Sequence, residues 1–219
     1  MFRPDQLGIS LTMMLCWPAI TLLYVGLSLA ADKIQMTDNL YLSYILSSLI
    51  EIPAYLLVPL LIDIWGRKPL FLLTQLVPGI ACVLAAFLTP GTTVFTVLTL
   101  TAKFGVSAAA NLKYLYTAQL YPTSLRNTAL GIFATMGELG GMLGPVIGKF
   151  LVELGSVSEL VPLCLFGAFG IAGGLSVLLL PETVGFPLPD TFQDVEQIRK
   201  KGKSLWRLYN PHNMVLNNA

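Results

Sequence analysis

The chain has 219 residues, of which 55% are hydrophobic and only 11% are charged, and its formal net charge is +1. A soluble domain carries about 25% charged residues, so this composition excludes an ordinary soluble protein and predicts an all-α, polytopic membrane protein. The near-neutral charge balance gives no reason to expect a nucleic-acid partner. Cys16, Cys82 and Cys164 each lie in an apolar run, which indicates packing thiols rather than a disulfide framework or a metal site.

Six apolar runs are long enough to cross a lipid bilayer, for which a helix needs about 20 residues. In chain order they cover residues 7–31, 40–64, 70–88, 92–116, 128–154 and 160–180. Their short connections imply that successive helices are antiparallel neighbours. The first run is long enough to span and lacks a basic start and a small-residue cleavage site, so it predicts a span rather than a signal peptide.

Lysine and arginine residues are divided unevenly between the two sides of this arrangement. One side carries Arg3, Arg67, Lys68, Arg126, Arg199, Lys200, Lys201, Lys203 and Arg207, and the other carries Lys33 and Lys149. Because cytoplasmic connections of membrane proteins carry an excess of these residues, we expect both termini in the cytoplasm. Lys103 and Lys113 remain inside the fourth run.

Three ionisable residues lie deep inside apolar runs: Glu51, Lys103 and Glu138. A charge at the bilayer centre costs about 2.5–3.5 kcal/mol on insertion scales, so such residues face a bundle interior or a cavity. At a rise of 1.5 Å per residue, all three fall near the midplane. Their charges sum to −1, which favours a cationic ligand. Two alternatives stay open: Lys103 pairs with Glu138 or Glu51 and only holds helices together, and Glu51, followed closely by Pro53, serves packing or conformational change.

Trp17 and Tyr24 are seven residues apart on the first run and so share one helix face. Facing a cavity, they would suit cation–π contact with an ammonium ligand; the alternative is that they face lipid or the membrane interface. Small residues repeat every fourth position in the last two runs, a pattern typical of closely packed membrane helices. These pairs are Gly137 with Gly141, Gly140 with Gly144, Gly144 with Gly148, and Gly170 with Gly174.

Four ordered motifs resemble one family of membrane carriers. Residues 63–68 read DIWGRK, similar to the D-x-x-G-R-[RK] loop between the second and third helices of one half of a major facilitator superfamily transporter. Residues 119–127 read QLYPTSLRN, similar to E-L-[YF]-P-T-x-x-R, and residues 180–191 read LPETVGFPLPDT, similar to L-P-E-T-x-G-x-P-L-P-[DE]-T. With EIP at residues 51–53, these resemble the organic cation/anion/carnitine transporters of that superfamily. Gln119 departs from the usual Glu.

The resemblance implies that residues 1–188 form the six-helix C-terminal half, helices seven to twelve, of a twelve-helix transporter. Two such halves hold the ligand between them at the midplane. We therefore expect the chain to be a fragment whose partner is a missing N-terminal half; a real half-transporter assembled with another chain is the alternative. Residues 189–219 are expected to form a cytoplasmic tail with a short amphipathic helix, with Thr191 as its N-cap.

Carried over to matching positions, the resemblance places Trp17, Tyr24, Lys103, Asn111 and Glu138 in the substrate cavity. The resemblance also implies that position 138 is acidic in the cation transporters of the family, and this chain has Glu138 there. Conformational or gating roles are expected for Glu51, Asp63, Arg67, Lys68, Arg126 and Glu182.

The expected function is transport of small organic ions, most favourably organic cations, across the plasma membrane by alternating access. No enzymatic step, cofactor or metal is implied. Two alternatives remain: a non-transporting truncated half that binds and regulates full-length relatives, and a carrier of organic anions, of carnitine or other zwitterions, or of sugars.

Overall fold

The computed structural model describes residues 4–29, 40–153 and 161–205, and every regular element in these residues is helical. In chain order the helices are α1 (Pro4–Leu29), α2 (Leu40–Leu49), α3 (Glu51–Trp65), α4 (Arg67–Ala85), α5 (Thr93–Leu120), α6 (Thr123–Glu153), α7 (Val161–Ser176) and α8 (Phe192–Leu205). A 3₁₀ turn, Val177–Leu179, continues α7. Within the described residues, six helices are long and apolar enough to cross a membrane, which confirms the expected class.

The second span is made of two helices, α2 and α3, rather than one. The break falls at Ile50, whose backbone keeps helical angles of φ −65° and ψ −21°. Pro53 lacks the N–H that would bond to the carbonyl of Leu49 four residues earlier, so the hydrogen-bond ladder is interrupted there. Glu51 therefore lies in the first turn of α3.

The connection between the fourth and fifth spans is much shorter than expected. The helices α5 and α6 extend to Leu120 and from Thr123, leaving only Tyr121 and Pro122 between them. Tyr121 is extended, with φ −125° and ψ 140°, because the residue before a proline is pushed out of the helical region. The apolar runs had missed these helix ends because the ends are polar.

Glycines set the closest helix contacts, as the small-residue pattern predicted. A Cβ at Gly140 would lie 2.6 Å from the Cα of Pro18, so α6 packs directly on the backbone of α1. A Cβ at Gly167 would lie 2.7 Å from the carbonyl oxygen of Gly79, which brings α7 equally close to α4. Further packing joins α4 to α5, α1 to both α7 and α5, and α3 to α5.

The expected amphipathic helix of the tail is α8, whose Val195 and Ile198 are buried. Its N-terminus is capped as expected, since the Thr191 hydroxyl oxygen accepts the Asp194 N–H at 3.3 Å. Asp194 Oδ2 accepts the Thr191 N–H at 2.9 Å in return. These hydrogen bonds to Thr191 hold the pKa of the Asp194 carboxyl below its usual value.

Some residues behind the orientation prediction lie outside the described part of the chain, namely Arg3, Lys33 and Arg207, together with the side chains of Lys149 and Lys203. The cysteines are free; Cys16 and Cys82 are buried and Cys164 is half-buried.

Candidate functional site

A cavity of about 440 Å³ opens between α1, α3, α5 and α6. Its lining combines aromatic, amide and charged side chains with small apolar ones: Ile20, Thr21, Tyr24, Tyr55, Ala110, Asn111, Lys113, Tyr114 and Glu138. Three of the expected substrate-binding residues, Tyr24, Asn111 and Glu138, are therefore on one cavity wall. Their role in binding stays a prediction.

Glu138 is exposed on the cavity side of α6. The neighbouring Gly137 holds it close to α1, since a Cβ there would lie 3.1 Å from Thr21 Oγ1. Among the described residues, the Glu138 carboxylate makes neither a hydrogen bond nor an ion pair. A carboxylate inside a span favours the approach of a cation, and the charge of Lys113 on the same cavity acts on Glu138 through space.

Lys103 pairs with Glu51, which settles one alternative left open by the sequence. Lys103 Nζ lies 3.0 Å from Glu51 Oε1, and both side chains are largely buried. Lys103 also donates to the Ser28 hydroxyl, and its Nζ lies 4.2 Å from the centre of the Tyr24 ring. Lys103 does not line the cavity. It ties α5 to the break between α2 and α3.

Tyr24 belongs both to the cavity and to this buried pair. Its hydroxyl donates to Glu51 Oε2 at 2.8 Å, and the Tyr55 hydroxyl reaches the same oxygen at 3.4 Å. The cation over the Tyr24 ring is thus the protein's own Lys103. Only the remaining ring surface is available to a ligand.

Trp17 is fully buried and is not among the residues that line the cavity, so its expected contact with a ligand stays a prediction. Its Nε1 donates to Thr117 Oγ1 at 3.2 Å, and its ring packs edge-on against Tyr114 with centroids 4.8 Å apart. The close approach of α5 and α6 to α1 encloses this face of the helix. Trp17 supports the cavity from behind.

Lys113 is the charged cavity residue that sequence reasoning left out. It is 5% exposed, its Nζ donates to Thr21 Oγ1 at 3.2 Å, and it lies over the Trp17 ring at 4.6 Å from the centroid. The sequence did contain a signal for Lys113: it lies inside an apolar run, so placing its charge in the membrane costs free energy, as it does for Lys103. Counting it brings the sum over the four intramembrane charges to zero rather than −1.

Asn111 is positioned by a proline on the facing helix. Pro59 has no N–H, so the Tyr55 carbonyl four residues earlier has no partner within α3. Asn111 Nδ2 donates to that carbonyl at 3.4 Å. A membrane helix tolerates an internal proline when a neighbouring helix satisfies the freed carbonyl in this way. The Asn111 side chain is consequently held at the cavity wall.

At the end of the bundle where α4 begins, Glu182 caps α4 from more than a hundred residues away. Its two oxygens accept the backbone N–H groups of Arg67 at 3.2 Å and Lys68 at 3.1 Å. These are the first two N–H groups of α4, which have no partner inside the helix. Gly66 permits the approach: it has φ +88°, and a Cβ there would stand 3.1 Å from Glu182 Oε2.

The other expected gating residues join the same ends of the helices. Arg67 donates from its guanidinium to the Thr183 carbonyl at 2.9 Å, and Lys68 Nζ donates to the Leu178 carbonyl at 2.7 Å. Arg126 Nε donates to the Ala118 carbonyl at 2.8 Å. Asp63 lies in α3, but its side chain is outside the described part of the chain. A gating role for this group stays a prediction.

Gln119, the departure from the family motif, accepts a hydrogen bond at Oε1 from the Thr183 hydroxyl at 2.9 Å. A neutral amide therefore joins α5 to the segment after α7, where the motif has a carboxylate.

Residues 6–211 match the family model described as Major Facilitator Superfamily. The chain is 34% identical over 201 residues to solute carrier family 22 member 3 of Rattus norvegicus, covering 89% of this chain and 35% of that protein. It is 35% identical over 196 residues to organic cation/carnitine transporter 2 of Homo sapiens, covering 89% and 34%. It is 36% identical over 192 residues to solute carrier family 22 member 15-like of Xenopus laevis, covering 85% and 38%.

The chain thus spans little more than a third of the length of these relatives. Among solved structures, the proton:xylose symporter XylE bound to 6-bromo-6-deoxy-D-glucose shares the fold, with a TM-score of 0.69 and 14% identity. That match covers 92% of this chain and 51% of the symporter. The six spans, their packing and the family match together show that this chain belongs to the Major Facilitator Superfamily.

Proposed function

We propose that the chain forms the C-terminal half of an alternating-access transporter for small organic ions that carry an ammonium group. The observation that carries this proposal is the unpaired Glu138 carboxylate on the wall of a 440 Å³ cavity. A cavity of this size suits a small ligand. Bringing a cation to Glu138 would give an ion-pair partner to a carboxylate that makes no hydrogen bond or ion pair among the described residues and interacts with Lys113 only through space.

The proposal includes a second half that faces this one. The cavity is formed by four helices on one side only, and alternating access needs two halves that rock about a central site. The similarity to relatives of which this chain covers about a third supports the same arrangement. We propose that the protein works in the plasma membrane with both termini in the cytoplasm, as the distribution of lysine and arginine favours.

Replacing Glu138 by glutamine tests the substrate site. In the full-length transporter, meaning this chain joined to its N-terminal half, Glu138→Gln removes the charge and keeps the shape. Losing one partner of a buried charge contact costs about 2–5 kcal/mol, so uptake of radiolabelled tetraethylammonium at low concentration should fall by well over tenfold. Surface biotinylation should remain at the parent level.

Glu196→Gln is the matched control, because Glu196 is an exposed carboxylate on α8 that pairs with Lys200 away from the cavity. This control should take up the probe like the parent. Parent-level uptake by Glu138→Gln would contradict the proposed site.

Expressing the chain without an N-terminal half distinguishes a role in transport from a regulatory role. We expect no saturable uptake from the lone chain, because half a cavity cannot be gated from both sides. If it instead lowers the surface level of a co-expressed relative and never restores uptake when joined to an N-terminal half, the regulatory alternative is correct.

A further inference from the structure

A second cavity, of about 100 Å³, lies between the first turns of α1 and the tail helix α8. Gln6 and Ile9 line it from α1, and Phe192, Val195 and Arg199 are among the residues that line it from α8. This α1–α8 cavity shares no lining residue with the cavity that contains Glu138. Pockets for whole small molecules measure about 300–1,000 Å³, so the α1–α8 cavity suits a compact polar group instead.

Gln6 brings an unmet hydrogen-bond acceptor to the α1–α8 cavity. The residue is only 6% exposed, and its Oε1 accepts no hydrogen bond from any of the described residues. Buried polar atoms almost always have a hydrogen-bond partner, because leaving one without a partner destabilises the folded protein. An occupant of the cavity that donates an N–H or an O–H to Oε1 would remove that cost.

The other polar groups around the cavity favour an anion. Helix α1 begins at Pro4, and the first N–H groups of a helix have no partner within it and carry partial positive charge. Arg199 adds a guanidinium group, whose planar set of N–H donors suits phosphate. Glu196 also borders the cavity, but Lys200 neutralises its carboxylate at 2.7 Å. The cavity therefore offers donors to an anion and one acceptor to a donor group.

The position of the cavity indicates a lipid ligand rather than a soluble one. Gln6 is the first residue of the first membrane span, so the cavity lies at the height where the hydrocarbon core meets the headgroups. Leu7, Leu11 and Leu15 are exposed, and their spacing of four places them along one face of α1. This apolar stripe begins next to Gln6 and runs into the bilayer, where an acyl chain can lie against it.

We propose that the α1–α8 cavity binds the headgroup of phosphatidylethanolamine. The primary ammonium group donates an N–H to Gln6 Oε1, and the phosphate lies between Arg199 and the first turn of α1. A choline headgroup has the same charges, but its quaternary nitrogen has no N–H and leaves Gln6 Oε1 without a partner. The inference goes beyond the proposed function, because it assigns a second site that carries no substrate.

Lipids that differ only in N-methylation of the headgroup test the proposal. Phosphatidylethanolamine, its monomethyl and dimethyl derivatives and phosphatidylcholine, all with oleoyl chains, are added at equal mole fraction to the detergent-solubilised full-length transporter. A ligand that binds only the folded state raises the melting temperature, so phosphatidylethanolamine should raise it at least about 3 °C above the value in phosphatidylcholine. The monomethyl and dimethyl lipids keep an N–H and should retain most of this gain.

A variant without the acceptor tests the role of Gln6. Gln6→Leu removes the amide and nearly keeps the side-chain volume, so it should melt at the same temperature in the ethanolamine and the choline lipid. In the choline lipid it should melt no lower than the parent, because a buried acceptor without a partner has been removed. Gln197→Leu is the matched control, since Gln197 is exposed on α8 and does not line the cavity. This control should keep the preference of the parent.

Equal melting of the parent in the ethanolamine and choline lipids would overturn the proposal, whether or not any variant folds. A preference that survives in Gln6→Leu would place the ethanolamine group elsewhere and would also overturn it. Protection by water-soluble phosphoethanolamine equal to that by the lipid would show a soluble ligand in place of a lipid. None of these measurements involves uptake. A transporter that carries no ammonium probe but keeps the headgroup preference would contradict the proposed function and support this inference.

Discussion

Four charged side chains inside the spans fall into two kinds of environment. Glu51 and Lys103 neutralise each other inside the protein, with Tyr24 donating a further hydrogen bond to the carboxylate. Glu138 and Lys113 face the cavity, form no ion pair within 4 Å among the described residues and interact with each other through space. The first pair joins α5 to α3, and the second pair lines the cavity that we propose as the ligand site.

Replacing Glu51 and Lys103 singly and together should show that the two charges stabilise each other. Removing one partner of a buried ion pair costs about 3–5 kcal/mol, because the other charge is left unpaired. We expect Glu51→Gln and Lys103→Met each to lower the melting temperature of the detergent-solubilised full-length transporter. The double variant should melt above at least one of the single variants.

The exposed Glu196–Lys200 pair, whose side chains are 53% and 71% exposed, provides the control. Its single and double replacements should change the melting temperature little, since solvent screens such pairs. Additive losses at Glu51 and Lys103 would show that their contact is not energetically coupled.

The sequence predicted the depth of these charges but not all of their partners. Counting residues along a helix gives height in the bilayer, whereas partner choice depends on how each helix is rotated and which helix faces it. Lys103 was therefore left open between Glu51 and Glu138. The same limit applies to Trp17 and Tyr24: their spacing places them on one helix face, but it does not show that Thr117 of α5 and Phe133 of α6 contact Trp17 or that Lys103 of α5 lies over the Tyr24 ring.

At the level of helices, close backbone contact between α1 and α6 positions one wall of the cavity. The glycines of α6 lie against Trp17, Pro18 and Thr21, with Gly140 nearest to the α1 backbone. Small residues allow this approach in membrane helices, where packing rather than a hydrophobic driving force holds helices together. The position of Glu138 relative to Thr21 depends on it.

Alanine at position 140 should disrupt this contact. A Cβ there would stand 2.6 Å from both Cα and Cβ of Pro18, so the two helices must separate. We expect Gly140→Ala to lower the melting temperature and ammonium-probe uptake. Gly131→Ala on the same helix is the control, because a Cβ at Gly131 meets nothing within 4 Å. Equal behaviour of the two variants would contradict the close packing described here.

The number of spans and most of the small-residue packing could be predicted from the sequence, while several helix ends and the division of the second span into α2 and α3 could not. Apolar runs report the part of a helix inside lipid, so the polar ends of α5 and α6 were assigned to a loop. The break at Ile50 depends on one missing hydrogen bond to Leu49. Hydropathy does not register such a loss, because it counts the apolar character of side chains such as Leu49, Ile50 and Ile52 and not backbone hydrogen bonds.

At the level of the whole molecule, six spans in succession predict that the connections between them alternate between the two sides of the membrane. The α4–α5 link lies on the opposite side from α8, because an odd number of spans, three, separates them. From the excess of lysine and arginine we expect α8 in the cytoplasm. The link containing Thr89 would then be extracellular.

Labelling of single introduced cysteines shows on which side of the membrane each connection lies. In a background with Cys16, Cys82 and Cys164 replaced by serine or alanine, Thr89→Cys should react with a membrane-impermeant maleimide on intact cells. Gln197→Cys, on the exposed face of α8, should react only after the membrane is permeabilised. The reverse pattern would show that both termini are outside, and labelling of both on intact cells would contradict the number of spans.

The cap that Glu182 places on α4 has a consequence for how the chain is made. The first N–H groups of α4 belong to Arg67 and Lys68, yet the carboxylate that receives them follows α7. During synthesis we therefore expect the third span to enter the bilayer before the carboxylate that caps its first N–H groups has been made. That end acquires its protein partner after three more spans have left the ribosome. Completion of the cap thus marks the moment at which the third and sixth spans become one unit, and a nascent chain halted before residue 182 retains an unfinished third helix.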